Sequence, residues 1–148
     1  MKIAITLATL LSFLTIKISY SQNGTYKCNH EMFINNDNPS QNKEHFENTI
    51  VIVEIYSTGG YVSVSHINDP NPVIYKWNIK NKIDTYVDKE KLIQYTLYEA
   101  KWDMGNIEIE GVSMVITLIE ELIEKKISVS CSAKNSPTTN FYLDLKKL

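Results

Sequence analysis

Arginine is absent: all fifteen basic residues are lysine, set against 17 acidic ones. Phosphate and nucleic-acid recognition draw on the bidentate guanidinium fork and on a positive field. This chain has neither, with a formal net charge of −2, so no nucleic-acid partner is expected. The lysines are scattered, and no basic patch for a membrane surface forms. Cysteine is scarce, with Cys28 and Cys131 far apart, so no Cys-x-x-Cys zinc or redox motif exists. The three histidines, His30, His45 and His66, include no helical H-x-x-x-H pair. Glu44, His45 and Glu47 in KEHFE read as a solvated polar loop, and NNDNPSQN lacks the glycine and terminal glutamate of a calcium loop. No Ser-His-Asp spacing, nucleophile elbow or phosphate-cradling glycine loop is present. The expectation is therefore no catalytic residues, no metal and no cofactor.

Long apolar runs are also missing, apart from one at the start. Lys2 precedes Ile3 to Ile16, broken only by Thr6, Thr9, Ser12 and Thr15. Ser19 and Ser21 then supply small residues at −3 and −1 for a cut before Gln22. The run is shorter than the roughly 20 residues a membrane span needs. Residues 1–21 thus read as a signal peptide, and 22–148 as one exported domain, secreted or periplasmic, with no span after cleavage. Cleavage removes two lysines and no acid, leaving 13 lysines against 17 acids, a net charge of −4. Cys28 follows Thr25-Tyr26-Lys27, twelve residues beyond Ile16, which does not fit a lipid-anchor motif. Asn23-Gly24-Thr25 is a glycosylation sequon, relevant only in a eukaryotic source.

What remains is rich in β-branched and aromatic residues at period two, punctuated by turn formers. The spacing predicts strands at about 24–34, 48–57, 61–67, 73–80, 91–102, 106–119, 125–133 and 139–146. The segment 115–126 could form an amphipathic helix, but the alternation on either side favours strand, turn, strand near Glu120 to Glu124. A two-residue turn at Gly59-Gly60 would set Ile55 against Val64 and Ser57 against Val62. A turn at Met104-Gly105 would set Ala100 against Ile109 and Lys101 against Glu108. Both hairpins sort into one apolar and one polar face. The expected fold is all-β, an antiparallel up-and-down meander of about seven or eight strands. It would close as a barrel, with a β-sandwich as the alternative.

Gly24-Thr25-Tyr26 resembles the Gly-x-Trp that opens the first strand of lipocalin-type barrels, with tyrosine in place of tryptophan. The resemblance implies a cup-shaped cavity for a small apolar ligand. The family's arginine over the first-strand aromatic and its long C-terminal helix have no counterpart here. TYKC also resembles the start of small periplasmic lysozyme inhibitors, whose functional loop would correspond to Ser57-Thr58-Gly59-Gly60.

Alternation places Tyr26, Cys28, Met32 and Ile34 on one face, and Ile127, Val129, Cys131 and Ala133 on another. Both cysteines point to the apolar side in early and late strands, so a Cys28–Cys131 disulfide is the leading reading, with two buried thiols as the alternative. A thiol nucleophile at Cys28 would need a base closer than His30, a full pleat repeat away. Glu99, Glu108 and Glu110 read as a solvated face with Lys101, and His66 as a core or rim residue opposite Val53. Tyr75, Trp77, Tyr98 and Trp102 fall on inward faces, where they either fill the core or wall a ligand site. The functional expectation is a monomeric, non-enzymatic binding module holding a small apolar ligand in a barrel. The alternative is a protein-binding or inhibitor module acting through loops such as 35–47 or 68–72.

Overall fold

The computed structural model describes residues 22–46, 48–67, 70, 73–103 and 108–148; the leader lies outside them. Ten strands follow one another: β1 (Gly24–Cys28), β2 (His30–Asn35), β3 (Lys43–His45), β4 (Thr49–Tyr56) and β5 (Gly59–His66), then β6 (Ile74–Asp88), β7 (Ile93–Asp103), β8 (Glu108–Glu121), β9 (Ile127–Ala133) and β10 (Thr138–Lys147). Apart from a 3-10 turn at Pro39–Gln41, the described residues contain no helix. None is therefore long and apolar enough to cross a membrane.

The strands form one antiparallel sheet in the order β1-β4-β5-β6-β7-β8-β9-β10, closed by β1 pairing back onto β10. Eight strands make the barrel; β2 continues the line of β1 along the same edge of β10, past the last β1–β4 pair, and β3 pairs with its outer edge. The meander expected from the alternation is thus a closed barrel, not a sandwich. Closure removes most of the edge that an open sheet would expose. Segment 115–126 is strand, turn, strand, as the flanking alternation predicts: β8 runs to Glu121 and β9 starts at Ile127. The interior is a layer of Val51, Val53, Val62, Val64, Ile116, Leu118 and Val129, all fully buried.

The predicted hairpin registers are corrected. The β4–β5 turn lies at Ser57-Thr58, with Tyr56 opposite Gly59, so Val51 faces Val64 and Val53 faces Val62. The faces survive because the shift is an even number of residues. Gly60 cannot carry a side chain, since a Cβ there would lie 1.9 Å from the Glu54 carbonyl oxygen. On β7 and β8, Lys101 faces Ser113 rather than Glu108, and Ala100 faces Met114 rather than Ile109. The register shifts between Lys101 and Asp103, where Asp103 meets Glu108. The expected turn at Met104-Gly105 lies outside the described residues.

Two features had no clean period-two signal. The first predicted strand is broken at Asn29: Tyr26 and Cys28 are buried in the barrel. Beyond the break, Glu31 faces buried Tyr142 across the sheet and Met32 faces Phe141. Met32 and Ile34 therefore do not share the face of Cys28. Strand β6 continues to Asp88 through two bulges, between Ile79 and Asn81 and between Lys82 and Asp84. A bulge adds one unpaired residue and shifts the alternation, which is why the period-two pattern ends at residue 80.

Candidate functional site

Because β2 continues along β10 past the last β1–β4 pair, Cys28 with Thr49, and the side-chain parity changes at Asn29, its inward residues stand at one end of the barrel. A cavity of about 360 Å³ opens there, beneath β2 and among the ends of β5, β6, β7, β9 and β10. Its walls include Glu31, His66, Tyr75, Trp77, Trp102, Met114, Cys131, Thr138, Asn140 and Tyr142. A second recess of about 280 Å³ adjoins it, sharing Glu31, Asn140 and Tyr142 and adding Lys43 and His45.

The aromatic wall follows from strand geometry. Tyr75 and Trp77 are two apart on β6, hence on one face. Trp77 stands directly opposite Trp102 on β7. The Tyr75 ring centroid is 6.4 Å from Trp77 and 6.3 Å from Trp102. Trp77 is 4 % exposed. Both indole Nε1 atoms are buried without a hydrogen-bond partner among the described residues. A buried donor left unsatisfied costs about 1–3 kcal/mol.

The polar wall is a relay. Thr49, fully buried on β4, donates its hydroxyl proton to Glu31 Oε1. His66 lies directly across from Thr49 on β5, not opposite Val53 as the predicted register had it. Its Nδ1 is 3.1 Å from the Thr49 hydroxyl and 3.7 Å from Glu31 Oε1. Since the Thr49 proton is committed to Glu31, the contact from His66 is an Nδ1–H donation to the hydroxyl oxygen. The result is a carboxylate held in place, its side chain only 15 % exposed, facing the aromatic wall.

Of the four aromatics expected from sequence, Tyr75, Trp77 and Trp102 come together here. Tyr98 does not. It faces Ile116 on β8 and Lys82 on β6 and lines a separate recess of about 370 Å³ at the opposite end, with Ile55, Ile79, Lys80 and Lys82. Glu31, Asn140 and Tyr142 are site residues that sequence reasoning missed. The available signal was the polar run Asn29-His30-Glu31, which interrupts the first strand where its parity changes.

The Cys28–Cys131 disulfide is not formed; both are buried free thiols and not a disulfide-distance pair. Strand β10 lies between β1 and β9 in the sheet. Two strand spacings, about 10 Å, exceed the Cα separation a disulfide spans. Cys28 instead points its thiol at the carbonyls of His30 and Leu143, at 3.2 and 3.5 Å. Burial pushes the Cys28 thiol up, and the fully enclosed Cys131 much further. The Tyr142 phenol is also driven well above its usual range, first by burial and then by Cys131 and Glu31.

The KEHFE residues are dispersed. Glu44 Oε1 is 2.5 Å from His30 Nε2, and His30 stacks on Phe46 at 4.8 Å. His45 faces Glu31 across β2 and β3, and Glu47 lies outside the described residues. No group of three or more metal-ligating side chains occurs among the described residues. Of the candidate loops, 35–47 folds into the 3-10 turn and β3, and most of 68–72 lies outside the described residues.

No family model, no curated protein and no solved structure matches the chain. The closed eight-stranded barrel is compatible with a lipocalin-like architecture, and nothing names the family.

Proposed function

We propose that this chain is an exported, non-enzymatic binding protein that holds one small molecule in the cavity beside Glu31. The observation that carries the reading is the pair of buried, unpartnered indole N–H groups on Trp77 and Trp102, two residues of that cavity's wall. Natural interiors rarely leave such donors orphaned. A ligand bearing an oxygen or nitrogen acceptor relieves the cost after a small rotation of either ring. A volume of about 360 Å³ suits a small occupant, being near the lower end of the range for ligand pockets. Export rests on the leader-like residues 1–21.

Catalysis has less support. Burial keeps both thiols protonated, and Thr49, whose hydroxyl donates to Glu31, is fully buried and is not a residue of the cavity wall. Neither thiol nor the Thr49 hydroxyl is thus offered to the cavity as a nucleophile. The direct test is native mass spectrometry of protein purified from its source, with the excess mass identified after release. A retained small molecule whose loss changes tryptophan emission supports the reading. A chain that carries nothing, and whose emission no small molecule alters, overturns it.

A further inference from the structure

We propose that the occupant is a small cationic amine, its ammonium seated against Glu31 and its skeleton against Tyr75, Trp77 and Trp102. This rests on the ligand-binding reading above and adds the sign of the ligand's charge. Three observations carry it.

Among the described residues the cavity wall has one carboxylate and no lysine; Lys43 lines the adjoining recess instead. A fatty acid or other anion placed there would meet the Glu31 carboxylate, which among the described residues has imidazoles near it, His66 in the wall and His45 across on β3. Glu31 is also prepared for a donor. Thr49 and His66 both approach Oε1, which fixes the side chain and leaves Oε2 to a ligand. At 15 % exposure the carboxylate is poorly screened, so a matching charge counts for more there than at the surface. Finally, three aromatic rings with centroids 6.3 and 6.4 Å apart flank the same space. Their faces attract a cation within about 6 Å of a ring centre.

The test compares three probes with one phenol ring and different tails: tyramine (cationic), 4-ethylphenol (neutral) and 3-(4-hydroxyphenyl)propionate (anionic). All three offer the same phenol oxygen to the indoles. Binding is read at pH 7.5 by tryptophan quenching and calorimetry on residues 22–148. Tyramine is expected to bind roughly tenfold or more tighter than 4-ethylphenol, with the propionate weakest. Glu31→Gln keeps an acceptor for Thr49, and in it tyramine should fall to within about threefold of 4-ethylphenol.

The inference is overturned if the neutral or anionic probe matches tyramine in the unmodified chain, or if the preference survives Glu31→Gln. Should Glu31→Gln not fold, the ranking in the unmodified chain decides alone. Binding of 4-ethylphenol without a cation preference removes this inference and leaves the ligand-binding reading standing. Silence from all three probes overturns the inference, and the retained mass then decides the broader reading.

Discussion

The two ends of the barrel hold recesses of nearly equal volume, about 360 and 370 Å³, but of opposite chemistry. Among the described residues, one has Glu31 and no lysine; the other has Lys80 and Lys82 and no carboxylate. Strand β7 serves both from a single face, with Trp102 at one end, Tyr98 at the other and fully buried Ala100 between them. Each recess forms where a strand outruns its neighbour. At the Glu31 end β2 carries the line of β1 past the start of β4 at Thr49; at the far end β6 continues past the last β5 pairing, Gly60 with Ile79. Unequal strand lengths open a hole at either mouth. The residue carried by the overrunning strand then decides which charge the hole tolerates.

The layer between the recesses offers the largest expected effect. Ile116 is fully buried, facing Tyr98 on one neighbour and Cys131 on the other. Ile116→Ala removes the wall between the two mouths and should cost about 2–5 kcal/mol in urea unfolding. A loss below about 1 kcal/mol would mean that the two recesses are already continuous, and the contrast between the ends would dissolve.

Alkaline stability should separate the ends by the pH at which each gives way. Burial raises the Cys131 thiol and the Tyr142 phenol at the cavity end. Tyr98 at the far end is raised by burial and then by Glu120. In each case the folded chain keeps a proton that the unfolded chain releases. Stability from Cys131 is therefore complete below the unfolded thiol's pKa, about 8.5, and is lost above it. The slope approaches about 1.4 kcal/mol per pH unit for each such group. Tyrosine contributions begin to fail only above about pH 10. Cys131→Ala should remove the larger part of the earlier loss, Cys28 supplying the rest, and Tyr98→Phe part of the later one, as read from urea midpoints across pH 7 to 11. An unchanged slope above about pH 8.5 in Cys131→Ala would show that this thiol is not buried at the cavity floor.

The same burial predicts thiol behaviour. Neither Cys28 nor Cys131 should react quickly with a chromogenic disulfide reagent in the native state, and both should react in urea. A reductant should leave the native fold unchanged. A stability loss on reduction would restore the disulfide and require β1 and β9 to be neighbours.

How much of this could be read from the sequence differs from element to element. Alternation identifies an inward face wherever a strand is regular, so Tyr75, Trp77 and Trp102 could be placed on one wall, and Tyr98 with them. It cannot tell a recess from a packed interior, nor one mouth from the other, because both depend on where neighbouring strands stop. It also fails at bulges. Glu31 was hidden by the parity change at Asn29, and Lys82 by the bulges of β6. The cysteine pairing failed for a topological reason. Two inward-facing residues in early and late strands can still be separated by the strand that closes the barrel.

The smallest effect lies in a turn at the far end. Leu92, between β6 and β7, has φ of 54°, the left-handed region, and Leu122 donates its N–H to the Leu92 carbonyl at 2.9 Å. A branched side chain in that conformation carries a penalty of roughly 1–2 kcal/mol, and Leu92 is too exposed to recover it all by packing. Glycine bears no such penalty but loses more backbone entropy on folding, which offsets part of the gain. Leu92→Gly should therefore stabilise the chain by about 0.5–1 kcal/mol in urea unfolding. The binding of a ligand at the Glu31 end should not change, since β7 runs its full length between them. A Leu92→Gly chain that is destabilised would show that the exposed leucine is covered in solution. A shift in ligand affinity would show instead that the two mouths communicate through β7.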